Sequence, residues 1–309
     1  MSRMATYEDN NTGSTQVNPL SRNEETAARF NTQSAALHYA NSHSTQGGEA
    51  RFFRSRISLV TRILASWPGG DLLDVGSGPG MMLKELTDTR HDDFRMTAID
   101  LSPTMVKLAA EATDTAEGPR AVVGQAEKLP FPDASFDVIL ALGVLEYTDI
   151  TAALAEISRI TRPGGLVLAS MLNPASPYRF FEWHIFWPLL RALRAMKSLP
   201  NGRSGQRLGP RANEIVAYPE RTLREKLAAA VLHPIDVAYF DINFLVPPVD
   251  RFVRSLTRGW QRRPDRTISR SWRRRLGTGY LVVACKARNP AVAARPQPGR
   301  PDVVLTPYG

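Results

Sequence analysis

The sequence predicts an α/β domain built on a doubly wound, mostly parallel seven-stranded sheet. Three observations carry that expectation. Short apolar runs alternate with segments of helical periodicity through the middle of the chain. The first run empties into a loop with glycine at every second position, Gly76, Gly78 and Gly80, and the second run closes on a carboxylate, Asp100. Strands alternating with helices imply a parallel sheet covered on both faces, and such sheets gather their functional loops at the C-terminal ends of the strands.

The elements follow in order. DLLDV (71–75), FRMTAID (94–100), RAVVG (120–124), FDVILAL (136–142) and LVLASML (166–172) have the length and apolar character of strands buried on both faces. Between them, MMLKEL leaves the glycine loop as a helix, and SPTMVKLAAEA opens with Ser102 as N-cap and Pro103 at the first helical position. ITAALAEISRIT forms a third helix, ended by the stop RPGG. A helix near 221–230, a strand near 234–243 and a final strand YLVVACKA at 280–287 complete the scheme. Two stretches interrupt it, about 173–217 and 244–279, and both read as helical lid insertions over the working edge of the sheet. The domain is expected to span 25–288. Residues 1–24, rich in Ser, Thr and Asn, and the Pro-rich tail 289–309 lack the apolar surface that ordering requires, so both are expected to be unpacked tails.

Composition bounds the setting. A chain of 309 residues, 43% hydrophobic and 22% charged, can bury a sizeable core. Cys285 is the only cysteine, which excludes an intramolecular disulfide, and the N-terminus shows no apolar signal core. A reducing cytoplasm is the expected location, and no run is long enough to predict a membrane-spanning helix. The formal charge of +9 raises anionic partners, but the arginine excess concentrates late, around RSLTRGWQRRPDRTISRSWRRR. Nothing in the sequence specifies an oligomer.

The glycine loop and Asp100 describe a nucleoside site. Backbone must approach a ligand most closely at the first strand-to-helix turn, and a carboxylate ending the second strand can accept hydrogen bonds from a ribose diol. A dinucleotide fingerprint would place its third glycine at position 81, where this chain has Met81, so that register fails. The competing reading is a plain glycine turn beside a capping carboxylate.

DVGSGPG, IDLSPTMV, VVGQAEKLPFPDASFDVILALGVLEY and ISRITRPGGLVLAS, in this order and spacing, resemble the class I S-adenosylmethionine-dependent methyltransferases, in particular the ubiquinone and menaquinone branch. The resemblance covers about Phe30 to Leu172 and the last strand. It implies a Rossmann-like methyltransferase fold, S-adenosylmethionine as cofactor and a set of site residues. Asp74 would face the charged methionine end, Gly76, Ser77, Gly78 and Gly80 its middle, and Asp100 the ribose. Leu101 and Met105 would wall the adenine. Gln125, Ala126 and Glu127 would sit at the adenine edge, where the family usually writes Asp-Ala; Gln125 departs from that pattern but keeps an amide oxygen that can accept from the adenine amino group. Leu142 would bring main chain to the cofactor. FNTQSAALHYA (30–40) resembles the segment in which an aromatic covers the cofactor, which makes Tyr39 the covering residue or, equally, a plain aromatic on a helix face.

The implied reaction is in-line displacement of the sulfonium methyl, with O-methylation favoured over N- or C-methylation. Alignment of nucleophile, methyl and sulfur in a dry pocket is the protein's main task. A general base is optional; His184, Tyr147, Glu146 and His38 are the candidates, each of which also has an ordinary packing role to fill. No Cys and His cluster has metal-ligand spacing. PYRFFEWHIFWPLLRALRAMKSL (177–199) carries more aromatic surface than a connection needs, which suggests a lid for a small, hydrophobic acceptor such as a polyketide or quinone. Arg191, Arg194 and Lys197 follow it, and with Arg273, Arg274 and Arg275 they would allow peripheral contact with an anionic membrane. No nucleic acid is expected as partner, because no NPPY-type tetrapeptide or appended RNA-binding module is present. The rivals are a nucleic-acid or lipid methyltransferase, an NAD-dependent dehydrogenase of the same fold class, and a non-catalytic S-adenosylmethionine-binding module.

Overall fold

Seven strands form one sheet: β1 (Gly70–Val75), β2 (Phe94–Asp100), β3 (Arg120–Val123), β4 (Phe136–Leu142), β5 (Thr161–Leu172), β6 (Leu232–Ile242) and β7 (Gly277–Lys286). Their order is β3-β2-β1-β4-β5-β7-β6. In this computed structural model the described residues are 31–32, 34, 36–37, 39–40, 48–113, 118–190, 192, 215–242 and 276–287. The expected tails 1–24 and 289–309, most of the insertion at 244–279, and the residues His38, Arg191, Arg194, Lys197 and Arg273 to Arg275 lie outside them.

β1 to β5 pair in parallel, and β7 runs antiparallel to both β5 and β6. The chain winds outward from β1 through β2 to β3, then returns to place β4 on the other side of β1. That reversal leaves a crevice beyond the C-terminal ends of β1 and β4, the position at which such sheets bind ligands.

The period-2 alternation of the strands divides the core. Leu73, Val75, Ile139 and Ala141 pack on one face with α4 (Ile150–Ile160) and α6 (Glu220–Ala229), while Leu72, Leu140, Val138 and Leu168 pack on the other with α1 (Gly48–Leu64) and α2 (Met81–Arg90). Each fully buried Leu, Ile or Val among them is worth about 1.5–3 kcal/mol. Caps set the helix starts, at Ser102 as expected and at Asp149 in addition. Ser102 Oγ accepts from the Met105 N–H at 3.3 Å to start α3 (Pro103–Ala112), and Asp149 accepts from the Thr151 and Ala152 N–H groups to start α4. Among the described residues no helix is long and apolar enough to cross a membrane.

One boundary differs from expectation. RPGG follows the end of α4 as expected, but β5 already starts at Thr161 and not at Leu166, so RPGG lies inside that strand, as a bulge between the pairs Phe136↔Thr161 and Val138↔Leu166. Pro163 has no N–H to give a ladder, and Gly164 takes φ 86°. Arg162 secures the bulge from the side, donating to Asp71 at 2.8 Å and to Asp137, and so ties β5 to β1 and β4. Periodicity could not reveal this, because the bulge is held by residues of three strands.

The described part of the first insertion is helical. Ser176 caps α5 (Pro177–Phe181) by accepting from the Arg179 N–H at 3.1 Å, and a π-helical turn, Glu182–Phe186, continues it. Its root is fixed by Asn173, whose side-chain amide donates to the Gly277 carbonyl at 2.8 Å. Nearby, a buried charge cluster joins α1 to the far strands. Asp241, in the left-handed region at φ 55°, accepts from Arg51 and from the Thr278 hydroxyl at 2.6 Å.

Candidate functional site

The crevice contains two adjoining cavities that share Tyr39, Gly76, Gly78 and Gly143 in their walls. Asp100, Leu101, Met105, Gln125, Ala126 and Glu127 line one of them. Asp74, Ser77 and Leu142 line the other. Twelve of the thirteen residues singled out from the sequence therefore meet along one groove. The exception is Gly80. A Cβ there would lie 2.8 Å from the Ala109 Cα, so Gly80 serves the close packing of α2 on α3 and does not face the groove.

The glycines differ in what they admit. Gly76 (φ 69°) faces Val144, whose Cβ would stand 2.6 Å from an added Cβ. Gly78 (φ 53°) faces only the edge of Tyr39 at 3.6 Å, so the room beside it belongs to the groove. Tyr39 in turn rests edge-on against Phe53, with ring centroids 5.9 Å apart.

Asp100 is held by backbone. Its Oδ2 accepts from the Gly78 N–H and its Oδ1 from the Ser102 N–H, each at 2.9 Å. Each oxygen keeps lone-pair capacity for a further donor. Burial raises the Asp100 pKa, opposed by the N–H groups of Ser102, Gly78 and Leu101. Asp74, 2% exposed, is pushed up to about 7 by burial, with the Arg56 guanidinium acting downward and the Asp100 charge upward.

The base candidates separate. Tyr147 lines the groove beside Thr148. Glu146 is buried behind the wall, where one oxygen accepts from the Leu172 N–H at 2.9 Å; burial raises its pKa against that hydrogen bond and the charges of Arg56 and Arg179. It anchors the end of β5. His184 lies away from the groove, exposed and stacked on Phe180 at 4.7 Å, with Nδ1 3.0 Å from the Phe180 carbonyl. Among the described residues no cluster of His, Cys, Asp and Glu could hold a metal.

Sequence reasoning missed Arg56, Gly143 and Thr148. Arg56, on α1, lines the cavity that holds Asp74. It sits in the string RFFRSRIS, where three arginines are alike on paper and only packing distinguishes them. Gly143 was findable, because it directly follows β4 and takes φ 78°.

Together, the doubly wound sheet with one antiparallel strand and the groove over β1, β2 and β4 define the class I methyltransferase fold. A family profile described as "Methyltransferase domain" matches residues 73–169, so the chain carries a methyltransferase domain over that stretch. Curated relatives include the malonyl-[acyl-carrier protein] O-methyltransferase of Serratia marcescens, 37% identical over 36% of this chain and 42% of that protein. Another is the demethylmenaquinone methyltransferase of Renibacterium salmoninarum, 28% identical over 72% of this chain and 87% of that protein. The chain thus spans well under half of the Serratia relative. Among solved structures, the magnesium protoporphyrin IX methyltransferase of Synechocystis with bound S-adenosylhomocysteine superposes with a TM-score of 0.54 at 12% identity, covering 85% of this chain and 99% of that one.

The cofactor of the domain is S-adenosylmethionine, and the groove's chemistry suits it. Asp100 offers acceptors, Gly78 leaves room where a side chain would intrude, and opposite charges on Asp74 and Arg56 share one cavity.

Proposed function

We propose that the protein transfers the sulfonium methyl of S-adenosylmethionine to a small, hydrophobic acceptor. The observation that supports this most is that one groove combines a carboxylate suited to a ribose, Asp100, with a second end carrying Asp74 and Arg56, suited to an amino acid. When bound, the cofactor supplies an electrophilic methyl group. The acceptor's lone pair forms the new bond to carbon, the carbon–sulfur bond breaks, and its electron pair remains on sulfur. The protein's own part is alignment and exclusion of water, which is worth up to about 7–11 kcal/mol in favourable systems.

The acceptor reading rests on the segment after β5. Phe180, Ile185 and Leu189 are exposed there, and Phe181, Trp183, Phe186 and Trp187 are half-buried beside them. Aromatic surface of this kind suits a flat or lipid-like molecule, and the relatives include proteins named for quinone and acyl substrates. Transfer to oxygen is the form we favour, because Tyr147, a residue type able to act as a general base or to hydrogen-bond an acceptor hydroxyl, lines the groove. Peripheral contact with an anionic membrane would bring such an acceptor within reach.

The test is incubation with methyl-labelled S-adenosylmethionine and a panel of phenolic, quinone and acyl acceptors, alongside RNA and phospholipid. Labelled small-molecule product supports the proposal, and its NMR spectrum distinguishes an O-methyl from a C-methyl group. Label found only in RNA, only in phospholipid, or nowhere would overturn it.

A further inference from the structure

The turn that follows β4 faces two ways with adjacent residues. Val144, Tyr147 and Thr148 line the groove, while Glu146, next to Tyr147 in sequence, is 3% exposed and buried behind the wall. The Tyr147 N–H closes the turn by donating to the Val144 carbonyl at 3.0 Å. Val144 rests on the glycine loop, where a Cβ added to Gly76 would stand 2.6 Å from its own. A ligand in the groove therefore meets this turn.

From behind the wall, Glu146 meets both ends of the insertion that follows β5. Its carboxylate accepts from the N–H of Leu172, the last residue of β5, and its carbonyl accepts from the N–H of Val216, on the returning end, at 3.0 Å. Leu172 and Val216 are distant in sequence, yet one residue holds both. Arg179 on α5 adds a charge from the insertion itself. It pairs with Glu182 at 2.6 Å and lies 5.8 Å over the Phe52 ring of α1. Burial raises the Glu146 pKa, and the Leu172 N–H, Arg56 and Arg179 act against that rise, so the carboxylate feels one cation from the groove wall and one from the insertion. A buried carboxylate is costly unless its hydrogen bonds are made, which favours a single arrangement of the turn and the two chain ends.

We infer that Glu146 is a positioning residue that joins the groove to the root of the insertion, so that a ligand seated in the groove orders the stretch from Leu172 to Phe186. The inference rests on the groove being the cofactor's site. Occupancy restrains Val144 and Tyr147, and Glu146 passes the restraint to the end of β5 and on to α5. An acceptor that docks on the aromatic residues of this stretch then meets a firmer surface once the cofactor is in place. Binding in the order cofactor, then acceptor, is the consequence.

Hydrogen exchange read by mass spectrometry, with and without saturating S-adenosylhomocysteine, tests the link without knowledge of the acceptor. In the wild-type protein the ligand should slow exchange around Gly78 and Asp100 in the groove and, by at least about threefold, across 172–186. Glu146→Ala, and Glu146→Asp, which keeps the charge but withdraws the acceptor, should retain the first effect and lose the second. Glu146→Gln, which keeps an acceptor oxygen for the Leu172 N–H, should restore it. A residue that only stabilised the fold would raise exchange with and without ligand alike and leave the ligand's effect unchanged. Absence of slowing across 172–186 in the wild type, slowing that survives in Glu146→Asp, or a Glu146→Gln variant that behaves as the aspartate one would overturn the positioning role. These three comparisons stand even if the alanine variant fails to fold. Calorimetry on the same samples separates the two readings, because a wild-type protein that does not bind S-adenosylhomocysteine would overturn the cofactor's site, and the link with it.

Discussion

Asp100 accepts a hydrogen bond from the Gly78 N–H at 2.9 Å, across 22 residues of sequence, and thereby locks the glycine loop to the end of the second strand. The two sequence signals that suggested a nucleoside site are thus one physical unit. Loop geometry and the proposed ribose acceptor stand or fall together.

Asp100→Ala should accordingly weaken S-adenosylmethionine binding at least about tenfold, by removing acceptors from the ribose and the tether from the loop. Asp100→Asn, which keeps an acceptor oxygen of nearly the same shape, should lose less. Calorimetry on folded variants checks both; unchanged affinity in the alanine variant would remove the ribose assignment.

Gly78 adopts φ 53° and opens onto the groove. Gly78→Val should abolish cofactor binding while circular dichroism shows the fold retained, since the new side chain fills ligand space and not core. The backbone strain of a β-branched residue at this φ adds a stability loss, so the smaller Gly78→Ala variant should be titrated beside it. Normal binding by both would restore the plain-turn reading.

Asp74 gives the site a pH dependence. Its folded-state pKa of about 7 lies above the ordinary 3.8, so the stability linked to its protonation is fully present below about 3.8 and is lost as pH rises through about 7. The free protein should therefore melt at a lower temperature at pH 8 than at pH 5, and Asp74→Asn should flatten that difference. Cofactor affinity should move the other way and rise between pH 6 and about pH 8, because the ammonium needs the ionised carboxylate. A melting curve with no difference between parent and Asn variant across this range would remove the assignment.

The Arg51–Asp241 pair is buried on both sides, with side chains 5% and 2% exposed. Asp241→Ala would strand the Arg51 charge away from water, a loss on the order of 3–5 kcal/mol. Chemical denaturation should show that drop. A change below about 1 kcal/mol would mean that water reaches Arg51 in the variant.

Replacement of Phe181 and Trp187 by Ala should raise the acceptor KM severalfold and leave cofactor affinity nearly unchanged. Both side chains are half-buried on the segment that follows α5. Equal losses for both ligands would assign these rings to the core instead.

The sequence by itself determined the parallel core of the sheet and most of the residues that line the groove beyond it. Runs such as DLLDV and FDVILAL state their burial locally, and glycines at 76 and 78 followed by Asp100 state a backbone that must come close to a ligand. These signals are local, so they survive without the fold. Tertiary structure alone decided what depends on contacts distant in sequence. β7 enters antiparallel between β5 and β6, which no periodicity encodes. Gly80 turns from groove to helix packing because Ala109 lies beneath it. Arg51 and Arg56 are five residues apart on one helix, yet the first is neutralised by Asp241, 190 residues on, and the second is left facing the groove. Which arginine is structural and which meets a ligand is set by the partners that folding delivers, and a single sequence does not display those partners.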